Sequence, residues 1–178
     1  MNGSLRQMVY SSLFAALIIV GGYLSLPLPV SPVPLVLADF FMLLAGLTLG
    51  ATGGGIAVAL FILLGLMGLP VFAGGKAGLG VLFGPTGGFI PGYLIGTLGA
   101  GWVAHWGGVS RLKDGLAIGL GFVALFSCGI GWLAISQQLS VTKAIAVGLL
   151  PFLPGTVIKA VVLWWAVRPL RESFRQAQ

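Results

Sequence analysis

Nine Lys or Arg and three acidic residues are spread over 178 residues, so any charge lying inside an apolar run invites a chemical explanation. Asp39 and Lys159 are two such charges, each expected about one turn into an apolar segment from the same side. Ionisable groups at membrane depth are costly and usually mark a site or a pair. Lys159 could instead extend its ammonium to the interface, and Asp39 could be an anion favoured by a helix N-terminus. A second feature is the stretch 74–93, GGKAGLGVLFGPTGGFIPGY, which carries Lys76 and Thr86 among many glycines. Irregular backbone of this kind survives at membrane depth only where protein buries it or where it lines a cavity. Transporter binding sites are built that way.

Catalysis is a poor reading of the same residues. Proton transfer needs groups within hydrogen-bond reach of one substrate, yet Asp39 and His105 are expected at opposite faces of a ~30 Å hydrocarbon core. No paired carboxylates, HExxH, CxxC or GxSxG occur, and Gly75-Lys76 is followed by Ala77, which excludes a Walker A loop. The lone Cys128 cannot form an internal disulfide.

The elements that must position these groups follow from composition. The chain is 58% hydrophobic and 7% charged, with a mean hydropathy of +1.10, whereas a soluble domain carries about a quarter charged residues. Charge-free runs cover 7–38, 40–75 and 115–142, and a spanning helix needs roughly 20 apolar residues. The reading is an all-α integral membrane protein of six spanning helices forming one domain over 1–178. The helices are expected at 8–26, 35–50, 54–69, 88–106, 115–136 and 154–167, with a short one at 141–150. Prolines 27, 29, 32 and 34 impose extended backbone after the first. A small-residue stripe, Gly92, Gly96, Ala100 and Ala104, suits close helix packing, as do Ser12 and Ala16 on the first helix.

The net charge of +6 reads as topology and not as nucleic-acid binding. Arg6, Arg111, Lys113, Arg168, Arg171 and Arg175 fall on one side, against Lys76 and Lys143 on the other. The positive-inside rule then places both termini in the cytoplasm, with the Gly-rich loop facing outward from the cell membrane.

Three blocks carry a resemblance. They are Gly68–Gly75 (GLPVFAGG) with 78–82 (GLGVL), Gly84–Phe89 (GPTGGF), and Pro151–Gly155 (PFLPG) followed by Lys159. With 12–17 (SLFAAL) and 43–46 (LLAG), they resemble the BioY family, the biotin-specific substrate-binding (S) components of energy-coupling-factor (ECF) transporters. The resemblance implies an S-component fold, biotin captured from outside without a cofactor, and three kinds of neighbour. These are a transmembrane coupling protein, two cytoplasmic ATPase subunits and membrane lipids. Ser12 and Ala16 would meet the coupling protein.

A pocket for biotin needs apolar walls, a few polar anchors and one positive element. Phe72, Phe89 and Tyr93 can supply walls, and Thr86 and Thr156 hydrogen bonds. Gly74, Gly75, Gly78, Gly84, Pro85, Gly87 and Gly88 can bring backbone close to a ligand. Lys159, near Asp39, is the first candidate for the carboxylate and Lys76 the second. Thr156 and Ala38 stand where the family pattern has Asp and Gln. An S component for another small carboxylate or vitamin, or an intramembrane lipid-modifying enzyme, are the alternatives.

Overall fold

The computed structural model describes the backbone of residues 3–106 and 110–176, and side chains as far as Phe174. The side chain of Arg175, counted above for topology, lies outside the described residues. Helix α1, Gly3–Tyr23, begins one turn before the expected start and ends before the proline loop. That loop is closed at its base by a two-residue antiparallel ribbon, β1 (Ser25–Leu26) with β2 (Leu35–Val36).

Helix α2, Ala38–Leu66, reverses at Gly50, whose φ of 76° and ψ of 179° interrupt the helix. Its arms, 38–49 and 51–66, fold back on each other. A Cβ placed on Gly54 would lie 2.6 Å from the Cα of Gly46, although eight residues of straight helix would separate them by about 12 Å. The turn expected over Gly50–Gly53 is thus made by Gly50 alone. A positive φ of this kind is steeply unfavourable for residues with a Cβ.

The central stretch carries one helical turn, α3 (Gly80–Phe83), which its glycine content hid. Helix α4 runs Phe89–His105, and Pro91 falls in its first turn, where a missing N–H costs no bond. Helix α5 is Arg111–Ser136, α6 is Val141–Gly148, and a 3₁₀ turn at Leu150–Phe152 leads into α7, Leu153–Gln176.

Helix α7 continues past its expected end at Val167 and through Pro169. Tertiary contacts carry it there. Phe174 packs on Tyr10 and Phe14 of α1, with ring centroids 4.8 and 5.9 Å apart. Arg171, counted above for topology, is 3% exposed. It donates to Asp114 Oδ1 at 2.9 Å and to the Leu47 carbonyl at 3.0 Å.

Backbone-to-backbone packing holds the bundle. A Cβ on Gly46 would lie 2.6 Å from the Thr97 carbonyl, one on Gly101 2.6 Å from the Ala51 nitrogen, and one on Gly96 2.7 Å from the Gly121 carbonyl. The stripe Gly92, Gly96, Ala100 and Ala104 is buried throughout, which makes it an internal packing face. Among the described residues, four helical segments are long and apolar enough to cross a membrane. Reversal of α2 at Gly50 turns one of them into two passes, and α4 completes six. The outer surface of Leu13, Val20, Leu63, Ile95, Val123 and Val161 is exposed and apolar, as lipid contact requires.

Candidate functional site

The six helices enclose a cavity at the end where the proline loop, the Gly-rich stretch and the 3₁₀ turn gather. Space for water centres within it is about 60 Å³, several times what one water needs. Its walls come from every part of the chain. Gly22 ends α1; Val33, Pro34 and Val36 belong to the ribbon and its loop; Ala38, Asp39 and Phe61 lie on α2. Phe72, Val81 and Thr86 come from the central stretch, Phe89 and Tyr93 from α4, Phe126 from α5, Phe152 from the 3₁₀ turn and Lys159 from α7.

Two aromatic groups form the apolar walls. Phe61 meets Phe72 edge-on at 5.4 Å and Tyr93 at 6.1 Å. Phe126 lies 6.4 Å from both Phe89 and Phe152. Such tilted and edge-to-face pairs add to the stabilisation from burial itself. Polar groups are few. Lys159 Nζ donates to Asp39 Oδ2 at 2.5 Å and to the Val36 carbonyl at 3.1 Å, while Asp39 Oδ1 accepts from the Phe40 N–H at 2.9 Å. Both side chains of the pair are 9% exposed. One ammonium proton and part of the carboxylate's acceptor capacity remain for a ligand. One turn before Lys159, the Thr156 Oγ1 is buried and has no hydrogen-bond partner among the described residues.

The sequence candidates separate into three groups. Asp39, Thr86, Phe89, Tyr93 and Lys159, with Phe72, meet at the cavity. Lys76, Gly84, Pro85 and Thr86 instead line an adjoining outer depression of about 360 Å³. Val81 and Thr86 are common to both, so they form the partition between them.

The remaining glycines serve the loop's shape. Gly74, Gly75 and Gly78 have φ of 70°, 74° and 82° and let the chain turn over the end of α2. There the Gly78 N–H donates to the Gly65 carbonyl at 2.8 Å, and Phe72 pairs with Lys76 through its N–H at 3.0 Å. The Tyr23 hydroxyl donates to the Pro70 carbonyl.

Gly87 and Gly88 sit at close packing contacts. Neither has positive φ, and neither lines the cavity. A Cβ on Gly87 would lie 1.9 Å from the Leu82 carbonyl oxygen, and one on Gly88 2.2 Å from the Trp132 Cβ. They are packing positions that let α5 close on the stretch, which Trp132 pins by donating to the Gly84 carbonyl at 2.9 Å. Phe61, Phe126 and Phe152 were not foreseen as cavity walls. Nothing in an apolar run distinguishes a phenylalanine facing a cavity from one facing lipid.

Ser12 and Ala16 are exposed on α1 beside Met8, Leu13 and Val20. They line neither the cavity nor the outer depression and leave one small-residue face of the bundle uncovered.

Known proteins share this architecture. The chain matches the model of the BioY family over residues 1–176. It is 41% identical over 164 residues to the biotin transporter BioY of Thermotoga maritima, covering 89% of this chain and 91% of that one. It is 39% identical over 168 residues to the biotin transporter BioY of Rhizobium etli, covering 89% of each. It superposes with a TM-score of 0.89 on a crystal structure of the S-component for biotin from an ECF-type ABC transporter. That match is at 28% identity and covers 97% of this chain and 95% of the other. With an S-component fold and a family match along nearly its whole length, the chain belongs to the BioY family.

Proposed function

We propose that this protein is the substrate-capture component of an ECF-type uptake transporter and that the enclosed cavity binds biotin. The observation carrying the reading is the buried Asp39–Lys159 pair set into an otherwise aromatic and aliphatic cavity. Biotin joins an apolar bicycle to a ureido group that both donates and accepts hydrogen bonds. An ion pair offers the converse set, with carboxylate lone pairs for the N–H groups and an ammonium proton for the carbonyl. The pair is neutral as a whole, so it suits a neutral polar head. A ligand carboxylate placed there would face Asp39 as well as Lys159. Among the described residues, the cation nearest at hand for a carboxylate is then Lys76, exposed in the outer depression beyond Val81 and Thr86. Thr156, one turn from Lys159, is a further hydrogen-bonding candidate.

In this reading the whole chain is one substrate-binding domain of the cell membrane. Both termini face the cytoplasm and the Gly-rich stretch faces out, as the distribution of Lys and Arg favours. The partners are a transmembrane coupling protein, seated on the Ser12–Ala16 face, and two cytoplasmic ATPase subunits. The six-helix fold and the family membership support that assembly. Equilibrium binding of labelled biotin to the purified protein, with lipoate and pimelate as competitors, tests the ligand. Saturable binding that neither competitor displaces is expected. Displacement by either one at comparable concentration would move the assignment to another small carboxylate.

A further inference from the structure

Gly115 and Gly119 stand on successive turns of α5 and make no close backbone approach to another helix. Nothing lies within 4 Å of a Cβ at Gly119, and at Gly115 only the Trp164 ring does, at 3.9 Å. Gly121 on the same helix differs, since a Cβ there would meet Leu43 at 2.2 Å. Neither Gly115 nor Gly119 has the positive φ of a turn glycine. Glycine weakens a helix interior. Gly131 on the same helix is equally open, so what sets Gly115 and Gly119 apart is the groove they line. They form the floor of an open groove of about 490 Å³ between α5 and α7, walled by Phe122, Val161, Trp164 and Trp165.

One end of the groove is basic. The Arg111 guanidinium lies 4.8 Å from the Trp164 ring centroid and 5.8 Å from that of Trp165. Trp164 Nε1 donates to the Arg111 carbonyl at 3.1 Å. Arg168 follows on α7, its side chain 31% exposed and its Nε 3.4 Å from Asp114 Oδ2. Asp114 has its closer partner in Arg171, at 2.9 Å. Arg111, Lys113, Arg168 and Arg171 against Asp114 and Glu172 leave this end with four positive and two negative charges, a net of +2.

An apolar trough ending at guanidinium groups and a tryptophan pair has the chemistry of a phospholipid site. Arginine forks match phosphate oxygens, tryptophan favours the headgroup level, and basic pockets between spanning helices bind anionic headgroups. We infer that the α5–α7 groove holds an acyl chain of one anionic phospholipid whose phosphate rests on Arg111 and Arg168. The glycines leave the trough open for the chain. Under the topology above, the lipid belongs to the cytoplasmic leaflet.

Native mass spectrometry of the protein, released from bilayers of equal phosphatidylglycerol and phosphatidylcholine, tests this. The wild type retains one phosphatidylglycerol in preference. Removing both guanidinium groups (R111A with R168A) lowers that preference about fivefold for each cation removed. Gly119→Leu fills open space with a better helix former, so it abolishes retention while biotin binding, which reports the fold, is unchanged. Equal retention of the two lipids by the wild type would overturn the inference. So would full retention by Gly119→Leu, or loss of coupling-protein binding in that variant with lipid retained, which would assign the groove to a protein helix.

Discussion

Lys159 Nζ lies 2.5 Å from Asp39 Oδ2, joining two residues 120 positions apart at the wall of a largely apolar cavity. Removing one member of a buried pair strands the other charge and costs about 3–5 kcal/mol, whereas replacing both with apolar groups is often close to neutral. Lys159→Met and Asp39→Leu should each lower the melting temperature in detergent, and the double variant should recover most of the loss. If the pair reads the ureido head, Lys159→Ala weakens biotin and biotin amide alike, by at least about tenfold, the loss of a charge-assisted hydrogen bond. Lys76→Ala should weaken biotin and leave the amide nearly unaffected. Isothermal titration with both ligands separates these outcomes. Selective loss of the acid in Lys159→Ala would return the carboxylate to Lys159.

Gly87 and Gly88 predict a stability effect more than a ligand effect. A Cβ on either would press against the Leu82 carbonyl or Trp132 at 1.9–2.2 Å, separations that only backbone movement relieves. Gly87→Val and Gly88→Val should therefore yield little folded protein, or protein whose melting is lowered with and without biotin. Thr86→Ala should keep wild-type melting and lose affinity, because Thr86 lines the cavity. Normal melting with lost binding in the valine variants would mean that the stretch meets the ligand directly.

Charge-free runs long enough to span a membrane made the six helices legible. Asp39 and Lys159 were legible because an ion in an apolar run is conspicuous. The closing wall of Phe61, Phe126 and Phe152 was not, since hydrophobicity is the same toward a cavity as toward lipid. The tight packing of Gly87 on the Leu82 carbonyl was not legible either, because a glycine in sequence answers equally to a nearby ligand and to a nearby backbone. The pairing of Asp114 with Arg171 was hidden for another reason. Both lie among charges near helix ends, where sequence alone reads them as solvated.

Ser12 and Ala16 lie on the exposed face of α1, while its opposite face packs inward through Ser11, Phe14, Ala15 and Ile18. Close approach of a partner helix needs small side chains on the facing surface. Ser12→Leu and Ala16→Leu should thus leave biotin binding and melting near wild type while weakening co-purification with the coupling protein. Normal co-purification of both variants would remove α1 from that interface.

The last prediction concerns the opposite end of the bundle. Asp114 is 1% exposed and Arg171 3% exposed, and together they join α5 to α7. Arg171 also donates to the Leu47 carbonyl at 3.0 Å, in the last turn before α2 reverses at Gly50, where helix carbonyls commonly lack an intrahelical donor. One guanidinium therefore neutralises a buried carboxylate and caps a helix arm in a region that lipid surrounds. Arg171→Met removes both services, and Arg168, already 3.4 Å from Asp114 Oδ2, can replace only the first. The loss should be about 3–5 kcal/mol, visible as a lower unfolding temperature with biotin affinity per folded molecule retained, since the cavity lies at the other end. Asp114→Asn in the Arg171→Met background should restore part of that stability by removing the stranded charge. A double variant no more stable than Arg171→Met would show that the bond to Leu47 at the α2 reversal, more than the ion pair, is what Arg171 supplies.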